Sequence, residues 1–146
     1  TTAQLAAHMD FELLLASPDL EDLASLKVLN PTTQKSMTTP TATINLPIDA
    51  YSAVLLVFHD HEWEQAVLMQ AAQQHPFFIG ALGSRRTHAM RVERLKQAGL
   101  SEAQCAQIHG PIGLVPSLRN ASLISVSALA EITAKLPPSQ IRLSSF

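Results

Sequence analysis

Phe77-Phe78-Ile79-Gly80-Ala81-Leu82-Gly83-Ser84-Arg85-Arg86 is an apolar run that breaks at a glycine and continues into a basic segment. The apolar part is short, aromatic and aliphatic, which predicts a strand buried on both faces of a parallel sheet. Gly83 and Ser84 predict a turn and the N-cap of a helix that starts at Arg85. Because free amides at a helix N-terminus attract anions and arginines bind phosphate in a bidentate way, the stretch predicts an anion site. Solvated surface charge is the alternative interpretation of the two arginines.

The composition indicates a globular domain. At 146 residues the chain is long enough to bury a sizeable core, and we expect one domain over residues 1–146. No apolar run approaches the roughly 20 residues that a membrane helix needs. The net charge of −2 argues against general nucleic-acid binding, although five of the ten basic residues lie within residues 85–96. A single cysteine, Cys105, excludes an internal disulfide and a multi-cysteine zinc site. We therefore expect a cytoplasmic protein that binds neither nucleic acid nor membranes.

Apolar periodicity and turn residues predict alternating strands and helices. A second apolar run, Ala53 to Phe58, is expected to form a central strand that ends at His59-Asp60-His61. Right-handed crossovers bring the carboxyl ends of parallel strands to one edge, so this loop is expected beside the turn at Gly83. Further strands are expected at 11–16 and 44–46, a surface loop at 30–43, a tight loop or short strand at 110–114, and helices at 1–9, 19–26, 62–74, 85–98, 101–108 and 121–136.

Four ordered blocks of sequence carry a resemblance to a known family. They are His59-Asp60-His61-Glu62, Ile79-Gly80-Ala81-Leu82-Gly83-Ser84-Arg85-Arg86, Pro111-Ile112-Gly113-Leu114 and Ser127-Ala128-Leu129-Ala130-Glu131-Ile132. In these blocks, and over most of its length, the chain resembles the C-terminal Rossmann-like domain of the xanthine dehydrogenase accessory factors, the XdhC/CoxI family. The resemblance implies an α/β fold, a Rossmann-like three-layer sandwich with a mostly parallel sheet.

The same resemblance implies a maturation factor. Such a protein binds the molybdenum cofactor, a phosphate-bearing pterin, and assists its delivery to a molybdenum hydroxylase of the xanthine dehydrogenase type. It is expected to handle this cofactor without catalysing a reaction. The cofactor-binding residues implied by the resemblance are His59 and Asp60, which would line the cleft, Gly83, Ser84, Arg85 and Arg86, which would hold the phosphate, and Gly80 and Gly113.

The chain departs from the family pattern at three places. It carries no Gly-x-Gly-x-x-Gly turn after a first strand, which argues against NAD(P) binding. Ser17-Pro18-Asp19 stands where the family has Asp-Pro-Arg, and Val115-Pro116-Ser117 stands where it has Asp-Ile-Gly. The first strand of a doubly wound sheet lies in its middle, between the second and the fourth. We therefore expect an N-terminally truncated domain; the alternatives are a strand supplied by a second copy in a homodimer and a reordered sheet.

The same residues also bear on other functions. His59 and His61 lie on one side of a strand end, as metal ligands do, but no third ligand at suitable spacing is evident, and no metal is predicted. A helix cap at Asp60 with His61 in solvent explains the same residues. The absence of a Gly-x-Ser-x-Gly elbow and of a Walker lysine argues against hydrolase and phosphoryl-transfer chemistry. The open alternatives are a divergent NAD(P)-binding Rossmann domain and a non-catalytic module that docks a partner protein.

Overall fold

The computed structural model describes residues 2–9, 11–40, 45–58 and 60–138. Strands and helices alternate along this part of the chain. They are α1 (Thr2–His8), β1 (Leu14–Ser17), α2 (Leu20–Ser25), β2 (Thr33–Ser36), β3 (Ala53–Leu56), α3 (Glu64–Gln74), β4 (Phe78–Ala81), α4 (Arg85–Gln97), α5 (Glu102–Ala106), β5 (Ile108–His109) and α6 (Ala121–Ala134). Short 3₁₀ turns follow α2, at Leu26–Leu29, and precede α3, at His61–Trp63. Among the described residues, no helix is both long enough and apolar enough to cross a membrane.

The five strands in the described part of the chain all pair in parallel, in two separate sheets. β1 lies beside β2, with Leu14 opposite Thr33. β4 lies between β3 and β5, so that Gly80 is opposite both Leu55 and His109. Within the described ranges, β1 and β3 each have a strand partner on one side only. The expected α/β class with a parallel sheet is confirmed, and the split falls where a doubly wound order has its central strand.

Helices cover both faces of the three-stranded sheet, which makes three layers. On one face, Phe78 and Leu55 pack with residues of α1 and α6. On the other face, Leu56 and Ile79 pack with residues of α3, α4 and α5. Successive strand residues therefore point to opposite helical layers. Burial on both faces explains why β3 and β4 are continuous apolar runs in the sequence.

The two sheets share this core although no backbone hydrogen bond pairs β1 with β3 in the described part of the chain. Leu13, just before β1, packs with the cluster around Phe78. Leu14 and Ala16 pack against the opposite cluster, which contains Leu56. Side chains from the β1 region therefore extend the same two apolar layers.

Two predicted segments on the first half of the chain are wrong. The surface loop expected over 30–43 contains β2, whose sequence Thr33–Ser36 is polar and shows no apolar pattern. Its extended conformation comes from backbone pairing with β1, which starts with Thr32 N donating to Leu13 O at 2.8 Å. The strand expected over 44–46 is not formed at Asn45 or Leu46; Ile44 lies outside the described residues.

The helix expected over 101–108 begins as predicted and ends early. Ser101 forms a capping box with Gln104: its hydroxyl accepts from Gln104 N at 3.1 Å and its amide donates to Gln104 Oε1 at 2.9 Å. The helix stops at Ala106, and Ile108 belongs to β5, where it is buried opposite Ile79. Burial of a β-branched side chain against the sheet thus outweighs one more helical turn. The other α-helices begin and end within two residues of their predicted bounds.

Leu68→Ala in α3 is expected to lower the free energy of unfolding by about 2–5 kcal/mol, because it leaves a cavity where the side chain is 0% exposed. Leu123→Ala in α6 is the matched control, since the same substitution falls on a helical side chain that is 55% exposed. Its expected effect is below about 0.5 kcal/mol. Urea denaturation followed by circular dichroism measures both variants. Equal losses would contradict the burial of Leu68 in the core.

Candidate functional site

Three loops lie at the carboxyl edge of the three-stranded sheet. Because β3, β4 and β5 are adjacent and parallel, the chain leaves the sheet at the same edge after each of them. The segments that follow contain Asp60 and His61 after β3, Gly83 to Arg86 after β4, and Gly110 to Gly113 after β5. The expected proximity of the first two loops therefore follows from the observed pairing. His59 lies outside the described residues.

The loop after β4 has the geometry of a capped helix N-terminus. Leu82 N donates to Leu56 O at 2.9 Å, so the β3–β4 pairing extends to the start of the turn. Gly83 has φ +142°, a conformation that favours glycine, and a Cβ added there would lie 3.0 Å from Thr87 Cγ2. Ser84 is the N-cap, as predicted: its hydroxyl accepts from Thr87 N at 3.1 Å and its carbonyl accepts from His88 N at 2.9 Å.

Arg85 and Arg86 occupy the first two positions of α4, and both side chains are exposed. The backbone amides of Arg85 and Arg86 come just before the amides of Thr87 and His88, which donate to Ser84. No acceptor for the Arg85 and Arg86 amides lies among the described residues. The first amides of a helix lack partners within the helix, and the positive end of its dipole favours negative charge. Two free amides and two arginines therefore provide donors for an anionic group.

The remaining predicted residues occupy different surroundings. Asp60 lies at this edge, where its Oδ1 accepts from Glu62 N at 3.1 Å and caps the turn before α3, as predicted. Gly113 lies in the loop after β5 with φ +111°, and a Cβ there would lie 2.6 Å from Ser127 Oγ. Gly80 lies inside the sheet, where a Cβ would lie 2.6 Å from both Ile112 Cγ2 and Phe78 Cε1. The structure therefore places Gly80 in the packing beneath the edge.

A buried ion pair between α3 and α4, which was not predicted from the sequence, lies below the loops. Glu64 is 2% exposed and Arg91 is 4% exposed. Arg91 Nε donates to Glu64 Oε2 at 2.8 Å and Nη2 donates to Glu64 Oε1 at 3.1 Å. Nη2 also donates to the Leu82 carbonyl at 2.7 Å. One signal was available, since Arg91 lies one helical turn before the buried Leu95, which places both on the core-facing side of α4.

Two histidines extend this pair to the neighbouring loops. His61 Nδ1 donates to Glu64 Oε1 at 3.0 Å, while the His61 side chain remains 37% exposed, so the imidazole both meets solvent and binds a buried carboxylate. Arg91 Nη1 donates to His88 Nδ1 at 3.2 Å, and because arginine has no acceptor, His88 Nδ1 must carry no proton. The His88 ring lies directly against Gly110, where there is no room for a Cβ. Burial, followed by the Arg91 guanidinium, lowers the pKa of His88, with Glu64 acting in the opposite direction and His109 adding to the lowering.

A second carboxylate, on α6, holds the loop after β5. Glu131 Oε2 accepts from Gly113 N at 2.7 Å, and Glu131 Oε1 lies 3.3 Å from His109 Nδ1. The His109 ring stacks on Phe78 with centroids 4.8 Å apart and an angle of 9° between the planes. The Gly113 amide is therefore already bonded, so Gly113 contributes the shape of the loop.

The surface at this edge is open and shallow. One depression is lined by Asp60, His61, Glu62, Gln65 and Arg94, and the Gly83 turn is not part of its wall. Ser84 and both arginines of that turn are exposed. In the part of the chain that is described, no group of three His, Cys, Asp or Glu side chains lies close enough together to hold a metal ion.

Comparison with known proteins gives matches at the level of sequence and of fold. The family model described as the XdhC Rossmann domain matches residues 1–132. The molybdenum cofactor insertion chaperone PaoD of Escherichia coli (strain K12) is 40% identical over 93 residues, which cover 64% of this chain and 29% of PaoD. This chain thus spans less than a third of the length of that relative.

A solved structure, a xanthine dehydrogenase from Bacillus halodurans, matches with a TM-score of 0.71 at 19% sequence identity. The match covers 99% of this chain and 40% of the other. At that identity the likeness concerns the fold, and it agrees with the parallel α/β arrangement described above.

His88 is expected to make stability depend on pH. Its lowered pKa means that the unfolded chain takes up a proton near pH 6.5 while the folded chain resists it, so stability falls as the pH drops below about 6.5. His88→Gln keeps an acceptor for Arg91 and removes the titration, so its unfolding midpoint in urea should fall less between about pH 7.5 and pH 5. His8→Gln, at an exposed site, is the control and should behave as the wild type does. Identical pH profiles for all three proteins would contradict a neutral His88.

Proposed function

Because this chain belongs to the XdhC Rossmann-domain family, we propose that it binds the molybdenum cofactor as cargo and assists its delivery to a molybdenum hydroxylase of the xanthine dehydrogenase type. The observation that carries the proposal is the 40% identity to a protein named as a molybdenum cofactor insertion chaperone. The family match extends over residues 1–132 and so includes all three loops of the candidate site.

The loop after β4 suits the phosphate of this cargo. The free amides of Arg85 and Arg86 lie at the positive end of α4, and their guanidinium groups can donate to phosphate oxygens. Ser84 is already bonded to Thr87, so its part is to hold the turn. The site proposed for the phosphate is therefore built from two backbone donors and two side chains.

The loop after β3 suits the pterin. A carboxylate repels phosphate but accepts hydrogen bonds from the N–H groups that a pterin presents. One oxygen of Asp60 accepts from Glu62 N, and the carboxylate has capacity for further donors. In this proposal Asp60 lies on the pterin side of the edge, and Gly80 and Gly113 allow the sheet and the β5 loop to pack closely beneath it.

The proposed role requires binding, shielding and release, and it needs no bond to be made or broken in the cargo. Arg85, Arg86 and the N-terminus of α4 neutralise the phosphate while the cargo is held. Because these groups are exposed, a partner hydroxylase can approach the cargo from the same edge. The chain then acts as a carrier whose affinity for the cofactor must be lower than that of the recipient enzyme.

Arg85→Ala/Arg86→Ala is expected to weaken binding of the pyranopterin cofactor by about 10- to 100-fold, because charge-assisted hydrogen bonds to the phosphate are lost. The melting temperature should stay nearly unchanged, since exposed charges add little to stability. Lys27→Ala/Lys96→Ala removes the same charge from exposed positions away from the loop and is the matched control. Calorimetric titration of the three proteins measures the affinities.

The same titration with NAD⁺ separates the proposal from its alternatives. Tight binding of NAD⁺, with none of the pterin, would favour a divergent dinucleotide-binding domain. A wild-type protein that binds neither ligand would favour a docking module. A large drop in melting temperature for the arginine variant would give the two arginines a structural role.

Delivery is tested by mixing the cofactor-loaded chain with a cofactor-free molybdenum hydroxylase. Hydroxylase activity is expected to recover faster with the loaded chain than with free cofactor at the same concentration. Loaded Lys27→Ala/Lys96→Ala should match the wild type. Equal rates with and without the chain would refute a delivery role while leaving cofactor binding intact.

A further inference from the structure

The Glu64–Arg91 pair joins the ends of two strands through one buried carboxylate. Glu64 binds His61, which lies in the loop after β3, and Arg91, whose Nη2 holds the carbonyl of Leu82 at the end of β4. Leu82 directly precedes the Gly83 turn. Glu64 and Arg91 together thus connect the two loops and are placed to set the distance between them.

The bond to Leu82 bears directly on an anion at α4. A carbonyl at the end of a strand carries partial negative charge, which disfavours an anion bound close by. A guanidinium that binds the carbonyl offsets that charge and fixes the orientation of the peptide plane before Gly83. A Cβ at Gly83 would lie 3.5 Å from Arg91 Nη2, so the guanidinium sits directly beneath the turn.

The same guanidinium reaches the third loop through His88, which accepts from Nη1 and packs against Gly110. One arginine therefore contacts, directly or through one side chain, the loops that follow β3, β4 and β5. Stability alone is a weak explanation for such a pair, because the desolvation of two buried charges offsets much of their attraction. Apolar residues of similar volume would fill the same space without that cost.

We propose that Glu64 and Arg91 are positioning residues, which hold the Gly83–Arg86 loop and the Asp60–His61 loop in the arrangement that binds the phosphate-bearing ligand. Neither residue touches the ligand in this proposal. The part that concerns affinity rests on the proposed function above, whereas the part that concerns loop geometry stands on the structure of the free protein.

Glu64→Leu/Arg91→Met tests the proposal, because it replaces the pair by apolar side chains of similar volume and leaves no buried charge without a partner. The variant is expected to keep its melting temperature close to that of the wild type. Its backbone amide chemical shifts should change at Asp60, Gly83 and Ser84, beyond the substituted positions. Affinity for the pyranopterin cofactor should fall by about tenfold or more, as loss of an outer partner does at metal sites.

Arg91→Lys is the second variant and decides the question if the apolar pair does not fold. It keeps the positive charge next to Glu64, but an ammonium cannot reproduce the planar fork that reaches Glu64, Leu82 and His88 together. The same amide shifts and the same loss of affinity are expected. Lys96→Arg, an exposed exchange on the same helix, is the control for a change between the two basic side chains.

The outcomes separate this proposal from the proposed function. Unchanged amide shifts at Gly83 and Ser84 in a folded variant would overturn the positioning role whether or not the wild type binds the cofactor. Wild-type affinity in a variant with shifted amides would also overturn it. A third outcome is that the wild type fails to bind the cofactor while the loop amides still shift in both variants. That result would overturn the proposed function, but the control of loop geometry by Glu64 and Arg91 would stand.

Discussion

The parallel register of β3 with β4 is the constraint on which the site depends. Leu56 lies opposite Ala81, and Leu82 N donates to Leu56 O, so both chains leave the sheet side by side. Helices cover both faces of these strands, α1 and α6 on one side and α3, α4 and α5 on the other. A shift by one residue would exchange the two faces and misplace every buried side chain. Burial therefore sets the register, and the register brings the loops together.

Charged residues are few in this chain, and the buried charged pair lies beneath the carboxyl edge of the three-stranded sheet. Only 15% of the residues are charged, yet Glu64 and Arg91 are buried together. The guanidinium reaches this depth because a carboxylate, a strand carbonyl and a neutral imidazole all accept from it. Glu131 connects α6 to the loop after β5, because it accepts from Gly113 N and lies beside His109. Buried polar groups thus connect the helices to the ends of the strands.

Two departures from the XdhC pattern have local structural explanations. Asp19, in the segment where the family has Asp-Pro-Arg, accepts from Glu21 N at 2.8 Å and caps α2. Val115, where the family has a polar residue, donates from its amide to Ser127 Oγ at 2.9 Å and leaves its side chain exposed. Ser17 and Val115, which stand at the acidic positions of the two family segments, carry no carboxylate for a ribose. The candidate site therefore draws its donors from the edge formed by β3, β4 and β5, in keeping with a phosphate as the recognised group.

Local patterns were sufficient for the α/β class, for β3 and β4, and for the caps at Asp60, Ser84 and Ser101, because each of these depends on residues within a few positions of one another. The position of the Gly83 turn followed from the same short-range signals. The polar strand β2, the end of α5 and the packing at Gly80 were not predictable in this way, since they depend on neighbouring strands. Glu64 and Arg91 are 27 residues apart, and only the packing of α3 beside α4 brings them together. A buried ion pair needs a partner at a defined distance in space, which periodicity along one helix does not specify.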